Sequence, residues 1–375
     1  MSDQISLYDL FGDLVIYRDL NAVDARLPRF ADIWREVGLP GPATPRKLDE
    51  AYAQALARLI GAAAHGRMAE IVYIGDTMLS DGGAFFNLRR HTGWRGWCFI
   101  GAEKEEALEV VQQDGLYQAN RWRALADFAA WLCQQGAQLA GGTVVLVDID
   151  KTLLGARGRN DRAIDRARVA AIEATLAETL GPSYDHDAFR RAYAALNVPK
   201  YHPFTADNQD FLAYTCMMLL AGAGTLEGLL AEIEAGRLAS YRDFMQRVDA
   251  QKARLAPAAV VALHDDIYAR TLAGDLTPFK AFRRREYRET VARMGSLPEG
   301  TPLAQRFVEE ICATQEVVDI VRWLASRGCL LVALSDKPDE ATTPTPELAA
   351  AGYPPLHRKA VDIVGPSIAG ELPKF

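Results

Sequence analysis

The sequence has no apolar run long enough to cross a bilayer. The longest, FLAYTCMMLLAGAG from Phe211 to Gly224, falls short of the roughly 20 residues that a spanning helix needs and reads as a buried helix. Basic charge is also in short supply. Lys and Arg number 42 against 49 Asp and Glu, a net charge of −7, so nothing favours nucleic acid or an anionic membrane as partner. Cysteine is sparse. Cys98, Cys133, Cys216, Cys312 and Cys329 are scattered, with no CxxC or Cys/His pair at metal-ligand spacing, which fits inert thiols in a reducing compartment. The opening stretch MSDQISLYDLFGD is acidic and lacks the basic-then-apolar layout of a signal peptide. A cytoplasmic location is therefore expected. Internal repeats and low-complexity tracts are lacking as well.

What is present is globular material in 375 residues, enough for two domains. Ser2 to Gly41 reads as irregular and ends in the loop signal GLPGPATP. KLDEAYAQALARLIGAAA then has helical spacing, with Thr44 as N-cap and Pro45 at the first helical position. IVYIG, GWCFIG and VVLVDID read as buried strands, separated by the helical stretches GGAFFNLRRHTGW and RWRALADFAAWLCQQG. Residues 156–318 are different: long helical patterns and no convincing strand. Alternation then returns with EVVDIVRWLASRG, CLLVALSDKP and AVDIVG. The expectation is an α/β fold. Its Rossmann-like parallel sheet core is built from 1–155 and 319–375, interrupted by an all-helical domain over 156–318.

Several strands end in polar groups that can carry chemistry. VVLVDIDKTLLG runs from four apolar residues into Asp148 and Asp150. EIVYIGDTMLSD ends in Asp76, with Asp81 at Dx4D spacing. LLVALSDK ends in Ser335. In an open parallel sheet, ligands bind beyond the carboxyl ends of the strands, and acids gathered there need a cation or shifted pKa values.

These motifs resemble those of the haloacid dehalogenase superfamily. VVLVDIDKT is similar to its first motif, hhhhDxDx[TV], LLVALS to its second, and IVYIGDTMLSD to its fourth. The order does not match. The fourth motif here precedes the first, and the roughly forty residues after Ser335 hold no second strand ending in acids. The resemblance thus implies a circularly permuted member, with the helical insertion as a large type 1 cap that closes over the site and selects the substrate. It also implies roles. Asp148 is the nucleophile that forms an aspartyl-phosphate, and Asp150 is the general acid and base. Mg2+ is held by Asp148, the backbone carbonyl of Asp150, and Asp76, with Asp81 in or near the shell. Ser335 binds a phosphoryl oxygen. A third-motif lysine offsets the negative charge: Lys47, with Arg46 beside it, or else Lys374.

The implied activity is a Mg2+-dependent phosphatase acting on a small phosphorylated metabolite. Two stretches of the insertion could read the leaving group: KYHPFTADNQD, with Tyr201, His202, Asn208 and Gln209, and TPFKAFRRREYRET, with Lys280, Arg283, Arg284 and Arg285. His186 and His264 are assigned to structure. Two other readings stay open: a catalytically silent binding or regulatory protein on the same fold, and a Rossmann-type nucleotide-binding enzyme. The latter would need a Gly-rich turn, of which GDTMLSDGG is a poor version.

Overall fold

A computed structural model of the chain describes residues 4–64, 66–104 and 106–374. The chain divides into two compact units: Met1–Ala167 with Thr290–Phe375, and Arg168–Glu289. Among the described residues, every strand lies in the first unit and the second is helical.

The strands in chain order are β1 (Gln4–Ile5), β2 (Val15–Ile16), β3 (Glu70–Gly75), β4 (Arg95–Gly101), β5 (Val110–Gln113), β6 (Leu116–Ala119), β7 (Thr143–Asp148), β8 (Ala313–Thr314), β9 (Leu330–Leu334) and β10 (Val361–Val364). Seven form one sheet in the order β2-β9-β7-β3-β4-β6-β5. All its pairs are parallel except β5 with β6. β1, β10 and β8 form a separate three-stranded sheet.

The central strands read as unbroken apolar runs because both faces of a parallel sheet are covered. Ile71, Val72, Tyr73 and Ile74 of β3 and Val144 to Val147 of β7 are all fully buried. On one face, the helices Glu50–Ala63 and Gly83–Thr92 bury Leu56, Leu59, Phe85 and Leu88 with Ile71, Tyr73, Val144 and Leu146. Elsewhere in this unit an aromatic cluster joins Phe99 of β4 and Tyr117 of β6 to Trp122, Phe128 and Trp131.

Several expectations need correction. The first long helix starts at Glu50 with Asp49 as N-cap, not at Thr44 and Pro45. The Pro45 carbonyl is taken by Arg18 Nη1 at 2.7 Å, and the Arg46 N–H donates to the Asp49 carboxylate at 2.7 Å. Residues 45–49 therefore form a turn in place of a helical start. Ser2 to Gly41 is not wholly irregular, since it carries β1, β2 and the short helices Leu7–Phe11 and Phe30–Ile33. AVDIVG is a strand, β10, but not of the main sheet.

The helical unit is narrower than 156–318. Asn160 ties the flanks of that range to the sheet unit: its Nδ2 donates to the carbonyls of Phe307 (2.9 Å) and Glu310 (2.8 Å), and its Oδ1 accepts from the Cys312 N–H (2.9 Å). The range also contains a strand, β8, paired to β10. The helical unit has its own core around Phe189, Phe204, Phe211, Tyr214, Met217 and Phe244. Phe211 and its neighbours lie in a buried helix, Gln209–Leu220, and no described helix is long and apolar enough to cross a membrane.

Candidate active site

β9, β7 and β3 are neighbours, and their register fixes what lies at their ends. Ile74 pairs with Val147, and Asp148 pairs with Leu334. Asp76 and Ser335 thus both fall one step beyond the level of Asp148, on opposite sides of it. The strand ends lift these side chains out of the sheet where the backbone ladder stops.

Asp76, Asp81 and Asp148 each offer an oxygen within 4.8 Å of the others. Asp81 is brought back to Asp76 by the π-helical turn Met78–Gly82. Its carboxylate is 1% exposed and heavily used. Oδ2 accepts from the backbone N–H groups of Asp76 (3.1 Å) and Thr77 (2.9 Å) and from Thr77 Oγ1 (3.1 Å). Oδ1 accepts from Tyr73 Oη (3.2 Å) and Lys47 Nζ (2.6 Å). Gly75 is required for this approach, since a Cβ there would lie 2.5 Å from Cβ of Asp81.

Lys47 sits in the turn before Glu50–Ala63, held by Asn87 Nδ2 donating to the Leu48 carbonyl at 2.8 Å. Its Nζ donates to Asp81 and also to Asp148 Oδ1 at 2.6 Å. Asp148 Oδ2 accepts from Thr152 Oγ1 at 3.1 Å. Lys47, not Lys374, reaches the carboxylates; Lys374 is exposed. Asp150 is partly exposed and its Oδ2 accepts from Ser335 Oγ at 2.6 Å. Ser335 Oγ in turn accepts from the Lys337 N–H (3.0 Å), and Lys337 Nζ lies 3.7 Å from Asp150 Oδ1. The Ser335 hydroxyl is thus turned to Asp150.

Burial and crowding split the carboxylates electrostatically. Burial, with the Asp81 charge, pushes Asp76 up to about 7 against the opposing pull of Arg157. Burial also raises Asp148 well above the usual carboxylate range, Lys47 only partly offsetting it and Asp81 and Asp76 adding to it. Burial works against the charge on Asp81 too, but Lys47 and the two backbone N–H groups outweigh it and hold that carboxyl below the usual range. Burial disfavours the Lys47 ammonium, and the Asp148 and Asp81 charges more than compensate, so it stays protonated.

A set of hard carboxylate oxygens, two of them reluctant to ionise without added positive charge, fits Mg2+ by donor chemistry. Asp148 and Asp76 would hold it. Asp81 already accepts five hydrogen bonds and is better described as the group that positions Lys47. One residue at the cluster had no sequence signal: Arg157, whose Nε donates to Asp76 Oδ2 at 2.5 Å. Thr152 did have one, as the last residue of the DxDxT pattern.

The residues expected to read a leaving group lie in the helical unit, and Asn208, Lys280 and Arg283 are engaged there. Arg283 needs correction: it is buried, its Nε donating to Asp210 Oδ2 (2.8 Å) and its Nη1 to Glu286 Oε2 (2.6 Å). A guanidinium neutralised on both sides by buried acids is a structural group rather than an anion receptor. Asn208 caps Gln209–Leu220, accepting from the Asp210 N–H at 2.9 Å and donating to the Leu276 carbonyl at 2.6 Å. Lys280 Nζ lies 3.2 Å from Asp275. Arg284 is exposed. His264 is buried, its Nδ1 2.7 Å from Tyr214 Oη.

No family model matches the chain, and neither a curated protein nor a solved structure matches it.

Proposed function

We propose that the chain is a Mg2+-dependent phosphohydrolase that cleaves a small phosphorylated metabolite through an aspartyl-phosphate on Asp148, on a permuted fold of the haloacid dehalogenase type. The observation that carries the reading is the meeting of Asp76, Asp81 and Asp148 within 4.8 Å, with Lys47 bridging two of them. Asp76 follows β3 and Asp148 ends β7, strands that are neighbours in one sheet, and β3 precedes β7 in the chain, the order that a permuted member of that fold would have.

The chain's own residues would work as follows. An oxygen of Asp148 attacks phosphorus and the bond to the leaving oxygen breaks. Asp150 gives that oxygen its proton. The short contact from Ser335 orients the Asp150 carboxyl for this transfer. A water then attacks phosphorus, passes its proton to Asp150, and the Asp148 oxygen–phosphorus bond breaks. Lys47 holds the Asp148 carboxylate in place and offsets negative charge throughout. Bound Mg2+ would supply the further positive charge that a buried, crowded Asp148 and a phosphoryl group demand.

The dinucleotide reading is disfavoured by one feature. The backbone N–H groups of Asp76 and Thr77, which a phosphate-binding turn would offer to its ligand, already donate to Asp81. A silent binding protein would not need both Asp148 and Asp150 at the strand end. The test is release of phosphate from p-nitrophenyl phosphate and a panel of small phosphomonoesters. Turnover that needs Mg2+ and is lost in Asp148→Asn supports the reading. No turnover on any of them, or an undiminished Asp148→Asn variant, overturns it.

A further inference from the structure

The loop after Asp148 brings its own cation to the carboxylates. Arg157 is 81 residues from Asp76 in the chain, yet its Nε donates to Asp76 Oδ2 at 2.5 Å. Backbone contacts fix the loop's path. The Arg157 N–H donates to the Lys151 carbonyl at 2.7 Å, and the Arg157 carbonyl accepts from the Glu103 N–H at 2.8 Å. Trp122 Nε1 donates to the same carbonyl at 3.2 Å. Gly158, at φ +79°, permits the close pass, since a Cβ there would lie 2.0 Å from the Glu103 carbonyl oxygen. The backbone is thus clamped on several sides without help from the Arg157 side chain.

That side chain lies at the solvent edge. It is 37% exposed, whereas the Asp76 side chain it holds is 6% exposed. Lys47 is different: it is 3% exposed and bridges two carboxylates. Lys47 is therefore a fixed part of the cluster. Among the described residues, the hydrogen bond of the Arg157 side chain is to the carboxylate that the phosphohydrolase reading assigns to the cation together with Asp148, and its exposed side gives it a path toward water. A guanidinium and a divalent cation cannot both sit on Asp76 without like-charge repulsion at close range.

We propose that Arg157 and the divalent cation compete for Asp76, so that Arg157 sets the cation affinity of the site and swings away as the cation binds. This rests on the phosphohydrolase reading of the site. The competition is one of linkage: removing a group that binds the same carboxylate tightens the cation by the strength of that contact.

The test uses Mn2+ alone, with free Mn2+ followed by electron paramagnetic resonance at pH 8 on the full chain. Arg157→Gln is expected to bind Mn2+ about two- to fivefold more tightly than the unaltered protein, the range of a partly exposed ion pair. Arg157→Lys keeps the charge and is expected to fall between the two, and it provides the comparison should the Gln variant fold poorly. Equal or weaker Mn2+ binding in the folded variants overturns the competition while leaving the cation site intact. If the unaltered protein and the variants all fail to bind Mn2+, the phosphohydrolase reading fails and the competition falls with it.

Discussion

Nζ of Lys47 lies 2.6 Å from Oδ1 of Asp148, across 101 residues of sequence, and 2.6 Å from Oδ1 of Asp81. One buried ammonium therefore ties the turn before the first long helix to the end of β7 and to the π-helical turn that follows β3. Lys47→Met would leave two buried carboxylates uncompensated, which costs about 3–5 kcal/mol. Urea unfolding should show that loss. Lys374→Ala, at an exposed position, should stay within roughly 0.5 kcal/mol.

The two sides of Asp81 can be separated. Tyr73→Phe removes one neutral donor from Oδ1 and should cost about 1 kcal/mol, with turnover nearly unchanged because Lys47 remains. Gly75→Ala places a methyl group 2.5 Å from the Asp81 Cβ. It should displace Asp81 and with it Lys47, lowering both the urea midpoint and turnover.

Cation binding should depend on pH in a defined direction. Asp76 titrates near 7, raised chiefly by burial and by Asp81, so below that pH a cation must displace a proton to reach it. Affinity for Mn2+ should fall as pH drops from about 7.5 to 5.5, with Asp148, also raised, adding to the fall. Titration calorimetry in buffers of different ionisation enthalpy should report proton release at pH 6 and less at pH 8. A flat profile would contradict the assignment of Asp76.

Much of the site was legible because its parts sit at the ends of apolar runs. Asp148 ends a buried strand and Asp76 and Ser335 each closely follow one, and a strand end is where a parallel sheet exposes side chains to a ligand. Lys47 was legible only through the family resemblance, as one of two candidate lysines; the turn that carries it is set by the Arg18 contact to Pro45, which no local pattern encodes. Arg157 was illegible because a long-range loop path places it, with Gly158 against Glu103. Arg283 looked like one of a basic cluster, but its burial depends on Asp210, 73 residues away.

In the fold, β5 and β6 form a hairpin that the apolar pattern does not show, although the Asp114-Gly115 pair between them, at φ +46° and +82°, is a strong hairpin signal. The two-residue strands β1, β2 and β8 carry too little pattern to be read.

The central claim is that Asp148 becomes phosphorylated during turnover. Borohydride reduces an acyl phosphate to an alcohol, so quenching the reacting enzyme with borohydride and mapping peptides by mass spectrometry locates the nucleophile. The account predicts reduction at Asp148, dependent on substrate and Mg2+, and none in Asp148→Asn. Turnover with no reduced residue, or with the modification at a different residue, would contradict it.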